Sequence, residues 1–175
     1  MKKPPPVWAL RPLLALYRLF LSVLARLPGG TYCRFLILSD WCKRAVDRGE
    51  NDRATALAEE LLVLASRYPN DWNFGNAVHH AHLVLGHVAL ATNDLKEARA
   101  QLLAAGETPG SPQLNSFGPN MQLALELLRR GDRDAVLAYF DLCRRFWELG
   151  KEMLDEWTVA VGQGQEPNFG PNVSY

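Results

Sequence analysis

A chain of 175 residues accommodates one domain, or one domain plus a terminal appendage, and with 48% hydrophobic residues it can bury a substantial core. Nineteen basic residues balance 19 acidic ones, so no global field draws the chain to nucleic acid, and no body helix carries enough unopposed Arg or Lys to do so locally. Cys33, Cys42 and Cys143 are odd in number and never closely spaced, which argues against a disulfide framework or a zinc site and for free thiols in a reducing, cytoplasmic setting.

The charge is unevenly spread. Residues 1–39 hold Lys2, Lys3, Arg11, Arg18, Arg26 and Arg34 and no acid. Residues 1–6, MKKPPP, are incompatible with a helix. Residues 7–27, VWALRPLLALYRLFLSVLARL, read as an amphipathic helix, with Arg11, Ala15, Arg18, Ser22 and Arg26 on one narrow face. The length suits a membrane span, but Arg18 would sit near the bilayer centre at a cost of about 2.5–3.5 kcal/mol. Three readings stay open. The helix lies at the inner face of a membrane, with Trp8, Arg11, Arg18, Phe20 and Arg26 as its membrane-facing set. It docks on the body as a core or capping helix. It is a cleaved signal peptide, a reading that the internal arginines oppose.

Pro28-Gly29-Gly30 breaks the chain. Residues 31–48 follow as a helix, throughout or from Asp40, and Gly49 to Asp52 turns. Ala54 to Tyr68 is a strong helix closed by Pro69. Residues 76–109 read as two helices joined at Asn93-Asp94 and ended by Pro109. Ala58, Leu62, Ala65 and Pro69 recur 40 residues later as Ala98, Leu102, Ala105 and Pro109. A third copy runs from Met121 to Arg130, turns at Gly131-Asp132 and continues from Asp134 to Trp147. Lys151 to Val161 then reads as a capping helix, and residues 162–175 as a tail.

A second repeat marks the junctions: Asn73-Phe74-Gly75-Asn76, Ser116-Phe117-Gly118-Pro119-Asn120 and Asn168-Phe169-Gly170-Pro171-Asn172. Gly, Pro and Asn or Ser suit helix entry. Each Phe is expected to plug a seam between hairpins, and the last copy to fold back into a seam left vacant at the end of the stack.

Leu85-Gly86, Ala89, Asn93-Asp94, Ala98, Leu102, Ala105 and Pro109 together resemble the tetratricopeptide repeat. The resemblance covers residues 40–147, is clear for 76–109 and is partial on either side. It implies an all-α fold: a TPR-like α-solenoid of about three helical hairpins. An N-terminal amphipathic segment (1–30) precedes the repeat domain (31–161), and the C-terminal tail (162–175) follows. It also implies a concave groove that binds a protein or peptide. Carried over position by position, the groove residues are His80, Leu83, His87 and Leu90, then Gly118, Met121, Leu125 and Arg129. The Lys and Asn set that clamps a peptide carboxylate in chaperone-binding members is missing from these positions. Separately, Cys33-Arg34-Phe35 is similar to the start of the membrane protein insertion efficiency factor family, but Leu36-Ile37-Leu38-Ser39 departs from that family's Pro-Thr-Cys-Ser.

His79, His80, His82 and His87 lie close together, but no pair has the i, i+4 spacing of a helical zinc site, so no metal and no cofactor is expected. Residues 108–118 are expected to form a long loop, in which Gln113, Asn115 and Ser116, with Asn120 beyond, offer polar groups to a ligand or to the local backbone. No phosphate loop, Gly-x-Ser-x-Gly elbow or His-Glu-x-x-His occurs, so no catalytic residue is assigned. The function read from the sequence is a non-catalytic protein-binding adaptor, peripherally attached to a membrane through residues 7–27. The alternative is a self-associating protein, a homo-oligomer, whose N-terminal helix fills the groove of its own or a neighbouring chain. An enzyme or metal-binding protein using the His79 to His87 cluster ranks third.

Overall fold

The computed structural model describes residues 7–27 and 29–173. The side chains of residues 7–11, 13 and 14 are outside that description, so the membrane-facing assignments of Trp8 and Arg11 lie outside the described residues.

Apolar residues at three- and four-residue spacings wind the chain into helices, and local caps set where these begin. Among the described residues the α-helices are α1 (Val7–Leu24), α2 (Thr31–Asp47), α3 (Asn51–Arg67), α4 (Phe74–Ala91), α5 (Leu95–Gly106), α6 (Pro112–Phe117), α7 (Gln122–Arg129), α8 (Arg133–Cys143) and α9 (Lys151–Gly162). Short 3-10 turns at Glu148–Gly150 and Gly170–Val173 complete the regular structure. Asp94 caps α5 by accepting from the Glu97 amide, and Asp132 caps α8 by accepting from the Ala135 amide. Each cap is worth about 1 kcal/mol against alanine.

One turn is used repeatedly. Gly49, Asn93 and Gly131 each adopt a left-handed backbone, with φ of +69°, +61° and +89°. The next amide then reaches back to close the preceding helix: Glu50 to the Ala45 carbonyl, Asp94 to Ala89, and Asp132 to Leu127. This is the Schellman closure, which folds the following helix back on its predecessor. It pairs α2 with α3, α4 with α5 and α7 with α8. Successive pairs pack on one another: α4 meets α2 and α3, α7 and α8 meet α5, and α9 meets α8.

Two cores result, and α4 serves both. Ala77, Ala81 and Val84 face Phe35, Leu38, Cys42, Ala54, Ala58, Leu61 and Ala65 in the first. Leu83, Ala89 and Leu90 face the second, which holds Leu102, Leu123, Leu127, Tyr139, Phe140, Trp147 and Trp157. Each fully buried leucine contributes about 1.5–3 kcal/mol. Gly86 permits the contact between pairs, because a Cβ there would fall 2.3 Å from Leu123 Cδ2. A smaller cluster of Leu21, Ala25 and Ile37 attaches α1 to α2.

The tail returns to the stack. Phe169 is buried edge-on against Trp157, with ring centroids 4.9 Å apart. The Asn172 amide group donates to the Phe117 and Pro119 carbonyls at 3.1 and 2.9 Å, and the Asn172 carbonyl accepts from the Met121 amide.

Three local expectations are corrected. Residues 108–118 are not simply a loop, because Ser111 caps a short helix with Pro112 in its first turn. The seam-plugging role holds for Phe74 and Phe169, which pack against the first and second cores. It fails for Phe117, which is 73% exposed, because the Trp147 ring occupies the space beside Gly118. Finally, α8 stops at Cys143, where the chain turns so that Trp147 points into the core.

Candidate binding groove

Between α2 and α4 lies a cavity of about 460 Å³, open to solvent. Ser39, Lys43 and Asp47 recur every four residues and so give α2 a polar stripe along this wall. From α4 come His80, Leu83, Val84 and His87; Asn120 and Gln122, at the start of α7, close the far end. Arg18 of α1 reaches the near end, where it pairs with Asp40 at 3.1 Å. The floor is therefore apolar and the rim carries both signs of charge.

The histidines divide by depth. His79 is fully buried behind the groove: Nδ1 donates to the Ala105 carbonyl at 3.0 Å, and Nε2 accepts from the Asn120 amide at 3.4 Å. Those partners require the neutral Nδ1-protonated ring. Burial, then the neighbouring His80, pushes its pKa down to about 3. His80 is half-buried in the groove wall, and burial followed by the Lys43 charge pushes it down to about 4. His87 lies 3.7 Å from Glu126, and burial lowers its pKa even though Glu126 and Asp47 act the other way. At neutral pH the wall thus presents neutral imidazoles, suited to hydrogen bonding rather than charge pairing. His82 is tied to Gln101 at 2.7 Å on the opposite side.

His80 also lines a second cavity, of about 400 Å³, with Asn76, Gln113, Phe117 and Asn172. Its amides are already bonded to one another: Asn76 donates to Gln113 at 2.5 Å and accepts from the Ser111 hydroxyl at 2.6 Å.

Of the groove residues expected from the repeat resemblance, His80, Leu83 and His87 come together here. The others do not. Leu90 and Met121 are buried in the second core, and Leu125 packs against it. Arg129 points to a separate surface, where its guanidinium makes two bonds to Glu166. The third-copy register fails because α7 begins only at Gln122: Met121 caps it from outside, with its amide held by Asn172.

The four polar candidates also separate. Gln113 lines the second cavity and Asn120 the first. Asn115 accepts from the Glu148 amide, and Ser116 donates to the Pro112 carbonyl, so both serve the local fold. On α1, Phe20 faces outward and Arg18 pairs with Asp40; in the turn after it, Arg26 lies 5.7 Å over the Trp41 ring.

Sequence reasoning missed Lys43, Asp47 and Gln122. The four-residue recurrence of Ser39, Lys43 and Asp47 was the available signal, on a helix without the Leu-Gly mark of the repeat. Cys42 and Cys143 are buried among apolar side chains; burial raises the Cys42 pKa to about 12 and pushes Cys143 up as well, which leaves both as poor nucleophiles. Among the described residues, no three His, Cys, Asp or Glu side chains converge as a metal centre would need. No family model, curated protein or solved structure matches this chain.

Proposed function

We propose that the protein is a non-catalytic adaptor: a TPR-like stack of helical pairs that holds a peptide segment of another protein in the cavity between α2 and α4. The observation that carries this reading is the cavity itself. The first helices of two successive pairs form its walls, and Leu83 and Val84 make an apolar floor beneath a rim of charges and amides. A peptide laid in such a groove buries its apolar side and satisfies its polar side at the rim. The repeated turn supports the TPR-like reading, as does the presence of His80, Leu83 and His87 on one surface. Among the described residues of α1, Arg18 is the one that lines this cavity. Three free cysteines favour a reducing, cytoplasmic compartment for the adaptor.

The test is to pan a displayed random-peptide library against the full chain and measure selected binders on a double variant, Asp47→Arg with Gln122→Arg. Both positions are exposed at the rim, so the fold is retained. Affinity is expected to fall at least about tenfold. Binders indifferent to the double change would refute the groove. A dimeric mass that the double variant abolishes would instead make a second copy of the chain the occupant.

A further inference from the structure

The α1 helix uses one face on the body and leaves the other bare. Arg18, Leu21 and Ala25 turn toward α2 through the Asp40 ion pair and the Ile37 cluster. Leu16, Leu19, Phe20 and Val23 recur on the opposite face at three- and four-residue spacings, Leu27 follows in the turn after α1, and each is more than half exposed. Exposed apolar side chains scattered singly need no explanation, but a continuous stripe along a helix does.

We propose that this stripe is a membrane-docking surface, which seats the protein on an anionic lipid interface with α1 lying in the membrane plane. Two observations choose that occupant over a second copy. The first is charge: residues 1–39 hold six basic residues and no acid. Arg18 and Arg34 already pair with Asp40 and Glu60, so the excess is carried by Lys2, Lys3, Arg11 and Arg26; two copies joined through α1 would bring two such excesses together, whereas an anionic surface complements them. The second is the flank. Tyr17, Tyr32 and Trp72 are all exposed large aromatics. The Tyr32 hydroxyl at the start of α2 donates to Asp71 at 2.9 Å, which brings it to the residue next to Trp72. Tyr and Trp are the side chains that favour the membrane–water interface.

The geometry departs from a free amphipathic helix. Arg18 and Arg26 do not line the lipid edge; they hold α1 to Asp40 and Trp41. The body thus fixes the stripe outward before any membrane is met.

The experiment is co-sedimentation of the full chain with phosphatidylcholine vesicles, with and without phosphatidylserine, beside sedimentation equilibrium without lipid. The variant is the triple Leu19→Ser, Phe20→Ser and Val23→Ser, whose sites are exposed and whose circular dichroism should match the parent. The parent is expected to pellet with phosphatidylserine vesicles and the pelleted fraction to fall at least about fivefold in the triple variant. Failure of the parent to pellet with either vesicle overturns the proposal, as does equal pelleting of the triple variant. A dimeric mass that the triple variant returns to monomer also overturns it, in favour of a contact between copies. The groove variant Asp47→Arg with Gln122→Arg should pellet like the parent, so the two readings fail separately.

Discussion

The two ends of the stack are finished in opposite ways. At the C-terminal end, α9 buries Leu154, Trp157 and Val161 and turns Lys151, Glu152, Asp155 and Glu156 to solvent. The tail then adds Phe169, so that Phe140, Trp147, Trp157 and Phe169 form one aromatic cluster. At the N-terminal end, among the described residues, α1 and the turn after it meet α2 through a small apolar cluster, the Arg18–Asp40 ion pair and Arg26 over the Trp41 ring, while Leu16, Leu19, Phe20 and Val23 face outward. A terminal repeat normally needs a cap with a polar outer face. Among the described residues, α9 comes nearer to such a cap, although it leaves Met153 and Val159 exposed. The tail covers much of the C-terminal end, whereas α1 keeps an apolar face open.

If that contrast holds, substitutions at the two ends should differ in kind. The largest effect is expected from Trp157→Ala, which empties the centre of the aromatic cluster and should cost about 3–5 kcal/mol in urea denaturation. Acid should act next, and on the C-terminal side of α4. His79 is held neutral in the fold with its pKa lowered from 6.5 to about 3. The unfolded chain therefore takes up a proton that the folded one refuses. Stability is full above about pH 6.5 and should decline by up to about 1.4 kcal/mol per pH unit as pH falls toward 3. Denaturation midpoints between pH 7 and pH 4.5 would read this, and His79→Gln should remove the His79 share of the slope while leaving that of His80 and His87.

Asn172→Ala is expected to cost about 1–3 kcal/mol, because it strips the donor from the Phe117 and Pro119 carbonyls. Hydrogen exchange should then rise around residues 117–121 and leave α2 and α3 unchanged. The smallest effect belongs to the N-terminal end: Leu19→Ser should change folding stability by less than about 0.5 kcal/mol. A large loss there would mean that the outward stripe is part of the core and would erase the contrast.

The sequence made these ends legible to different degrees. Helices with both a periodic apolar face and a local stop were readable: α3 ends before Pro69, and α5 runs from its Asp94 cap toward Pro109. The α6 helix was not, because its Ser111 cap and Pro112 are also ordinary turn residues and six residues carry no period. In the groove, His80, Leu83 and His87 were readable because they sit on the helix that bears the clearest repeat signature. The α2 wall was not, since Lys43 and Asp47 acquire meaning only when α4 lies beside them. Arg129 was assigned to the groove because nothing local announces Glu166, 37 positions away. The arginines of α1 were legible as a face, but the side on which the body would lie was not, since that depends on Asp40 and Trp41 after the intervening turn.

The recurring Schellman turn also bears on the order in which the molecule assembles. Each helix pair is closed by a contact between residues only five apart, so each can collapse by itself at little cost in chain entropy. The clasp of Asn172 on Phe117 spans 55 positions and requires the α7–α8 pair to be in place. Folding should therefore run as rapid local zippering followed by one slow step, the seating of the tail. A nascent chain would expose its aromatic cluster until residues 169–172 emerge.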